Sequence, residues 1–383
     1  MRYVGIDLHK RHLTVHILGP QGQTVLHHQV STAWHDVRTF FLKIEQDSQA
    51  DGGYVVVLEN CGFHDWLVKH LQKAGGPQVL VITAPKPARQ KTDKRDAKQL
   101  AEMLWVNRDR IAAGQKLLRV SVVYQPNEFE QHDRQLTHLR ARRGRALTRV
   151  KNSIGGLLRR HNLEQDCPTK GLFTKAGLAW LAEVPLSELD RCQLDMLLDD
   201  YRHYEKQIQK LDDRIHKAAA LRPQIPRLRT LACIGDYTAL ALLAHIGPIH
   251  RFKNPRSLAN FFGLTPGCRD SGQTHRPGSI TKAGHPFVRF LLAQTVLHAL
   301  RRDPGLRAWY REIKRRRGSR IARVAVMRRL CEILWTMLTR QENYRPMARP
   351  AEASPRARAS RAKRPAGAAP PVTAAASTLA LPA

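Results

Sequence analysis

Cysteine is scarce in this chain, and no cysteine has a close partner in the sequence. The six are Cys61, Cys167, Cys192, Cys233, Cys268 and Cys331. They form no CxxC pair, and cysteines and histidines do not cluster at the spacing of zinc ligands. We therefore expect reduced thiols with structural roles, rather than a disulfide scaffold or a zinc-finger module.

Long apolar runs are also missing. The longest, such as ALALLA near residue 240, fall far short of the ~20 residues that a membrane span needs. The first residues, MRYVGIDL, pass directly into strand-like sequence without the basic and apolar regions of a secretory leader. We expect no membrane association and a cytoplasmic location.

Acidic residues are few relative to basic ones. Lysine and arginine number 64 against 32 aspartates and glutamates, which gives a formal charge of +32. Such a chain repels itself unless it has a polyanionic partner, and nucleic acid is the partner that this charge favours. A length of 383 residues with 42% hydrophobic content is enough for two folded domains with additional segments.

The first part of the chain alternates strand and helix patterns. Two strands, YVGIDL and LTVHIL, are joined by the polar residues 9–12, and a third short strand is expected around Val25. Beyond them the patterns predict helices at about 32–44, 66–72 and 92–106, and strands at 54–59 and 79–83. This alternation predicts an α/β layer fold with crossover connections.

The later segments favour helices. Residues 129–158 predict a long basic helix with a cationic face, and residues 194–218 have apolar residues at alternating three and four spacing, which is typical of a coiled coil. Residues 223–343 favour a helical domain with a polar, glycine-rich insertion at 264–285. The tail beyond residue 346 is rich in Ala, Pro and Arg without periodicity, so we predict that it is disordered.

Four carboxylates occupy positions that make them candidate metal ligands. Asp7 lies inside the first strand, where an unpaired charge is costly to bury, and Glu59 ends an apolar strand at the edge where α/β sheets form ligand sites. Asp93 and Asp96 are three residues apart on one predicted helix and share a face. Four such groups could hold two hard cations about 4 Å apart beside a phosphodiester, with Mg²⁺ or Mn²⁺ as the best fit.

Residue spacing alone leaves another interpretation open. Asp7 and Glu59 are then solvated acids at strand ends, and Asp93 and Asp96 only complement the helix dipole. His9 similarly either orients a ligand next to Asp7 or is a histidine of a hairpin turn.

The chain resembles the DEDD-type insertion-sequence transposases, the "IS one-ten" group. The resemblance rests on GIDLHK at 5–10, LEN at 58–60 and KTDKRDA at 91–97 in the first half. In the second half it rests on IGDYTALALLAHIGPIHRF, LANFFGLTP and the SG...GSITKAGHP segment. It covers most of residues 1 to about 340 and leaves out the tail.

This resemblance implies a fold, a chemistry and partners. It implies a RuvC-like, RNase H-like α/β domain with Asp7, Glu59, Asp93 and Asp96 as metal ligands, a coiled-coil connector, and a mainly α transposase domain whose catalytic serine is Ser271. It also implies a guide-like non-coding RNA, donor and target DNA, and a homodimer that assembles into a tetramer. In a bacterial cell such an enzyme is cytoplasmic and associates with the nucleoid when it is active.

The domain boundaries that we predict follow from the residue patterns together with the resemblance to the family. Residues 1–125 form the nuclease domain, 126–222 the basic helix and coiled-coil connector, 223–345 the transposase domain, and 346–383 the tail. Ser271 is far from the carboxylates in sequence, so the two halves meet only by folding back or by donation between subunits.

Ser271 and its neighbours have a chemical rationale. A serine ester keeps the energy of the phosphodiester bond, so a strand can be rejoined without ATP. Nearby cations could neutralise charge on the reacting phosphorus. A Ser-Gly pair in a polar loop is also typical of a simple turn, and Ser279 and Thr281 are rival hydroxyls.

Several residues are candidates for nucleic-acid contacts. Residues 231–247 resemble a helix-hairpin-helix with Gly235 at the turn, although Ala232 and Cys233 replace the usual Pro-Gly, and a plain helical hairpin is the alternative. The cationic candidates are Arg142, Arg143, Arg159, Arg160, Arg269, Arg276 and Lys282. Basic runs of this kind, including that at 314–317, are often only solvated faces, although their density favours phosphate contacts.

Three functions compete. The preferred one is a serine-using DNA recombinase, the second is a hydrolytic endonuclease of the junction-resolving type, and the third is a non-catalytic nucleic-acid scaffold. A sugar kinase also starts with a strand ending in GIDL, but it needs a glycine-rich phosphate loop where His9 and Lys10 stand.

Overall fold

The computed structural model describes residues 1–72, 76–83, 93–271 and 274–347, without the side chains of residues 93, 94 and 268–277. It divides the chain into two compact units, Met1–Gln125 and Pro126–Ala383. The predicted disorder of the tail falls on residues outside this description, apart from the first two.

The first unit is built on a six-stranded mixed sheet with the order β3-β2-β1-β4-β5-β6. β1 pairs antiparallel with β2 and parallel with β4, β2 pairs antiparallel with β3, β4 pairs parallel with β5, and β5 pairs antiparallel with β6. The strands are β1 Arg2–Leu8, β2 His12–Leu18, β3 Thr24–Ser31, β4 Tyr54–Glu59, β5 Gln78–Thr83 and β6 Ser121–Val122. The five longer strands confirm the strand predictions.

Helices cover both faces of this sheet. Helices α1 (Trp34–Ser48) and α2 (Asp65–Leu71) pack on the face that carries Val4, Ile6 and the other buried residues in phase with them. Helix α3 (Asp93–Val106) packs on the opposite face, and α4 (Arg108–Ala112) follows it. Because side chains alternate along a strand, the odd residues of β1 and β4 face α3.

The apolar stripe of α3 explains its packing. Ala97, Leu100, Ala101 and Leu104 recur at three- and four-residue spacing and are all buried. They contact residues such as Tyr3 and Val57 on the sheet. The predicted helix at 92–106 is confirmed, whereas α4 and β6 are short elements that the patterns did not indicate.

The second unit is helical apart from one hairpin. Its helices are α5 Glu128–Arg160, α6 Lys175–Glu183, α7 Glu188–Ala220, α8 Ile225–Arg229, α9 Asp236–Ile246, α10 Pro255–Phe261, α11 Pro286–Arg302 and α12 Pro304–Arg340. The hairpin consists of β7 Pro266–Ser271 and β8 Thr274–Ile280, which pair antiparallel. The predicted long helices at 129–158 and 194–218 are confirmed by α5 and α7, while α6 and the two strands are additions.

Polar contacts stabilise the first turn of α5 and bind the helix to α7. Its first turn is closed by a capping box in which Asn127 accepts from the Glu130 amide and the Glu130 carboxylate accepts from the Asn127 amide. Arg140 binds Asp212 of α7 through two hydrogen bonds of 3.0 and 3.2 Å. These contacts, with the apolar seam between α5 and α7, make the two helices an antiparallel pair.

Helix α12 is interrupted near its middle. Gly318 has φ 82° and ψ 166°, a conformation outside the helical region that glycine adopts without steric cost. The break separates the basic run 314–317 from residues 322–338, whose apolar side chains join the main core of this unit. None of the helices in the described ranges is both long and apolar enough to cross a membrane.

Candidate functional site at the carboxyl edge of the sheet

The strand register sets Asp7 next to Glu59. β1 and β4 pair in parallel from Arg2 with Tyr54 to Ile6 with Leu58. One residue further along both strands, Asp7 and Glu59 are neighbours at an interstrand spacing of about 4.8 Å. Both belong to the face of the sheet that α3 covers, so the two carboxylates share one face and one edge.

The direction of α3 brings Asp96 to the same edge. Near the helix C-terminus, the Trp105 Nε1 donates to the Pro20 carbonyl at 3.4 Å, in the turn between β2 and β3. This turn follows Leu18, which pairs with Tyr3 at the start of β1. Because the end of α3 lies where β1 begins, its N-terminal turn lies where β1 ends, next to Asp7.

Gly5 permits the helix to approach the strand closely. A Cβ atom on Gly5 would lie 2.5 Å from the Ala101 amide nitrogen and closer still to the Ala97 carbonyl oxygen. Real Cβ contacts begin at about 3.0 Å and are ordinary at 3.4–4 Å. The glycine therefore sets the height of α3, and with it the height of Asp96, above the sheet.

Asp7 is held in a buried and polar environment. The residue is 8% exposed, and the Nε2 of His9 donates to its Oδ2 at 3.0 Å. The ring of His9 stacks on that of His12, with centroids 4.8 Å apart. His9 thus lies in the hairpin turn and also orients the carboxylate of Asp7, whereas a contact from His9 to a ligand stays a prediction.

The chemistry of the site suits a hard divalent cation. Asp7 is buried, Glu59 and Asp96 are half-buried, and a cation bound between carboxylates at one edge offsets their mutual repulsion. Thr14 pairs with Asp7 across β1 and β2, and its buried Oγ1 has no hydrogen-bond partner within the described residues. All these donors are oxygens, which Mg²⁺ and Mn²⁺ prefer.

Two predicted catalytic residues are described by their backbone only. Asp93 is the first residue of α3, at the end of the helix that faces the site. Ser271 is the last residue of β7 and pairs with Thr274 at the tip of the hairpin. The side chains of both residues lie outside the description, as do those of Arg269 and Arg276, whose backbones pair across the hairpin.

The predicted basic face of α5 is present on the helix surface. Arg142 is exposed and Arg143 is half-buried, and neither forms an ion pair within the part of the chain that the structure describes. Arg159 and Arg160 are exposed but bind Glu164 and Asp190 at 3.2 and 3.7 Å. The first two arginines are therefore the better candidates for phosphate contacts.

Gly235 occupies the turn between α8 and α9. It is the N-cap residue of α9, and a Cβ atom there would meet nothing within 4 Å, so the helix N-terminus is open. Asp236 follows it and binds His216 at 2.7 Å and Arg229 at 3.5 Å. This carboxylate complements the positive end of the helix, and both interpretations of the hairpin stay open.

Lys282 is exposed and lies just after β8. It has φ 55°, in the left-handed region, and its amide donates to the Gly263 carbonyl at 3.1 Å. The lysine therefore projects from a tight turn that connects the hairpin to α11.

Sequence patterns did not reveal an arginine-lined cavity in the second unit. The cavity has a volume of about 750 Å³. Its lining includes Arg256, Arg328, Arg329, Arg340, Arg345 and Glu332. Glu332 binds Arg329 at 2.9 Å and Arg328 at 3.5 Å, so part of the charge is neutralised internally. The sequence signal is the Arg328-Arg329 pair, which is indistinguishable from a solvated basic run.

A cluster of three histidines was also missed. His138, His245 and His285 bring their ring nitrogens within 4.8 Å of one another. His138 and His245 are 107 positions apart, so no local spacing could indicate the cluster.

Comparisons with known proteins agree in both halves of the chain. A family model for DEDD-type transposases of the IS110 group matches residues 4–162. A second, described as the transposase IS116/IS110/IS902 family, matches residues 225–311. The first match contains the sheet with the grouped carboxylates, and the second contains the β7–β8 hairpin.

Curated relatives extend over most of the chain. The transposase for insertion sequence element IS1111A of Coxiella burnetii is 28% identical over 76% of this chain and 79% of its own length. A probable family 20 transposase of Pseudomonas aeruginosa is 28% identical over 90% of this chain and 98% of its own length. A pilin gene-inverting protein of Moraxella bovis is 26% identical over 38% of this chain and 48% of its own length.

A mixed sheet with clustered carboxylates, followed by a strongly basic helical unit, is typical of enzymes that process nucleic acid. The chain belongs to the IS110 family of insertion-sequence transposases, and it is a DNA transposase. Membership implies an RNase H-like fold for the first unit, and enzymes of the DEDD type use a divalent metal.

Proposed function

We propose that this transposase cleaves and rejoins DNA strands with Mg²⁺ held by Asp7, Glu59, Asp93 and Asp96, and with Ser271 as the attacking nucleophile. The observation that carries the first part is the convergence of Asp7, Glu59 and the N-terminal turn of α3 at one edge of one face of the sheet. The second part rests on the position of Ser271 in the motif that resembles the family.

The carboxylates provide a negatively charged pocket next to the DNA backbone. When bound, divalent cations offset the charge of the phosphodiester and activate the oxygens that attack and leave. His9 fixes one oxygen of Asp7, so the other is free to turn toward the pocket. The packing of α3 on Gly5 fixes the distance between the helix and strand carboxylates.

The strand transfer is a balanced exchange of phosphate esters. The Ser271 hydroxyl loses its proton to a base, its Oγ forms a bond to phosphorus, and the bond from phosphorus to the departing sugar oxygen breaks. That oxygen takes up a proton. In the second step a sugar hydroxyl attacks the serine phosphoester, and the serine is released unchanged, so no ATP is consumed.

Basic side chains outside this pocket would hold the nucleic acid. We propose that Arg142, Arg143 and the exposed Lys282 contact phosphates, together with Arg269 and Arg276. The net charge of +32 supports a polyanionic partner of large size. A guide-like RNA, donor and target DNA, and assembly of dimers into a tetramer are proposed from the resemblance to the family.

The experiment compares Ser271→Ala with Ser279→Ala on a donor DNA that carries the ends of the element. With Mg²⁺, the parent protein and Ser279→Ala should form a covalent protein–DNA adduct that resists denaturation. Ser271→Ala and Asp7→Asn should form none. An adduct with Ser271→Ala would refute the nucleophile, and full cleavage by Ser271→Ala without any adduct would select the hydrolytic endonuclease.

A separate measurement addresses the RNA. Nucleic acid that co-purifies with the protein is sequenced, and one structured RNA species that matches both donor and target DNA is expected. Random fragments in proportion to their cellular abundance would refute guided recognition without affecting the adduct assay.

A further inference from the structure

Three histidines from distant parts of the chain meet in the second unit. His138 lies in the first half of α5, His245 in the last turn of α9, and His285 caps the N-terminus of α11. One ring nitrogen from each lies within 4.8 Å of the other two. The cluster is far from the sheet carboxylates in sequence, and the strand-transfer proposal does not use it.

The distances match the ligand shell of a tetrahedral metal. With metal–nitrogen bonds of 2.0–2.1 Å, two histidine nitrogens on a tetrahedral Zn²⁺ are roughly 3.4 Å apart. The Nε2 atoms of His138 and His245 are 3.2 Å apart, so this pair already has the required separation. His285 is exposed, and one of its ring nitrogens lies within 4.8 Å of the ligand atoms of the other two.

The protonation state of the two more buried rings suits metal binding. Burial is the main cause that lowers the pKa of His138 to about 4 and that of His245 to about 2, and it also lowers the pKa of His285. At neutral pH the rings of His138 and His245 are therefore uncharged, which is the form that binds metal.

The surroundings form an apolar wall behind the cluster. The ring of Phe287 lies 4.3 Å from that of His138 and 5.8 Å from that of His245, measured between centroids. Ala141, Ala241 and Leu291 are buried around Phe287. His138 is half-buried and His285 is exposed, so a bound ion would keep an open position on the solvent side.

Nearby arginines determine what fills that position. Arg134, Arg142, Arg145 and Arg289 all act on the histidines by lowering their pKa. Arg134 is fixed in place because its Nε donates to the Ala244 carbonyl at 2.7 Å. Three neutral ligands leave the full charge on a divalent ion, and these cations make an anion the favoured fourth ligand.

We propose that His138, His245 and His285 bind one transition-metal ion of the Zn²⁺ class, with an exchangeable anion or water at the fourth position. The ion would connect α5, α9 and the start of α11, and would thereby fix the segment that follows the β7–β8 hairpin. When Nε2 of His285 binds the metal, the ring proton is on Nδ1. Nδ1 then no longer accepts the 3.3 Å hydrogen bond from the Phe287 amide.

The test uses full-length protein purified without a histidine tag and stripped with a chelator. Co²⁺ is titrated in an excess of Mg²⁺, which occupies sites built only from oxygen ligands. One Co²⁺ per chain with the intense visible absorption of tetrahedral coordination is expected. Added Zn²⁺ should abolish this absorption and raise the melting temperature until it saturates.

Variants identify the ligands. His285→Asn retains a good helix N-cap and should fold, but it should bind Co²⁺ at least about tenfold more weakly and lose the tetrahedral spectrum. His138→Gln should do the same. The matched control is His298→Ala. His298 is an exposed histidine in α11, the helix that His285 caps, and the variant should bind Co²⁺ like the parent protein.

Two results would overturn the proposal. One is the absence of tetrahedral absorption in the parent protein, which would leave a hydrogen-bonded histidine cluster of purely structural character. The other is equal Co²⁺ binding by the parent, His285→Asn and His138→Gln. Neither result depends on DNA cleavage, so the strand-transfer proposal is tested independently.

Discussion

Replacing Gly5 with alanine tests how packing controls the carboxylate site. The new Cβ would lie 2.5 Å from the Ala101 amide nitrogen, whereas an ordinary contact needs at least 3.4 Å. The Ala101 amide and the Ala97 carbonyl, which the new Cβ would also meet, both belong to the helix backbone. Neither group can rotate away as a side chain could. Helix α3 must therefore move by about 1 Å from the sheet, or the strand must bend.

Both stability and activity should change. Overpacking of this kind costs about 1–3 kcal/mol, which for a domain of this size lowers the melting temperature by roughly 4 °C per kcal/mol. The same shift displaces Asp96 relative to Asp7 and Glu59. A misplacement of about 1 Å costs on the order of 100-fold in rate, so DNA cleavage should fall far more than the folded fraction does.

The assay combines thermal unfolding with single-turnover cleavage of donor DNA at a temperature where the variant is folded. Gly62→Ala is the matched control, because a Cβ at this exposed position meets nothing within 4 Å. If Gly5→Ala cleaves at the parental rate with parental stability, α3 does not set the geometry of the site and the reasoning is refuted.

Three further predictions concern the second unit. Replacing Arg142 and Arg143 with alanine should reduce the slope of log affinity against log salt for DNA by roughly two, measured by titration at several salt concentrations. Arg222→Ala should destabilise the protein by about 3 kcal/mol in denaturant unfolding, because it leaves the buried Asp133 without the guanidinium that lies 2.9 Å away. Burial raises the pKa of Asp303, but its hydrogen bonds together lower the pKa by a larger amount. The net pKa is therefore below the ordinary 3.8. This carboxylate therefore stabilises the fold above about pH 4 and loses that effect as the pH falls through its folded-state pKa. The stability difference between Asp303→Asn and the parent should accordingly vanish in acid.

The sheet was predictable because its signals are local. Apolar runs such as 54–59 end at a charged residue, and in an α/β fold that edge is where ligand sites form. The sequence could therefore indicate Glu59 and the α3 aspartates as candidates. It could not show that the first turn of α3 lies next to Asp7. The direction of α3 across the sheet depends on the contacts of Gly5 and Trp105.

Other features were beyond local patterns. The strands β7 and β8 contain proline, glycine and charged residues that disfavour strands, and only their pairing with each other makes them extended. The short helix α6 has few residues on which a period could be recognised. The histidine cluster depends on contacts across three elements, and each histidine alone looks like an ordinary surface or core residue.

In the proposed mechanism, Asp7, Glu59, Asp93 and Asp96 together bind divalent cations next to DNA. A crystal structure of the protein with Mn²⁺ and donor DNA, analysed at the manganese absorption edge, tests this most directly. We expect anomalous density at the ends of β1 and β4, about 2.1 Å from the carboxylate oxygens and in contact with a DNA phosphate. Density elsewhere, with these four side chains separated or turned away from the DNA, would contradict it.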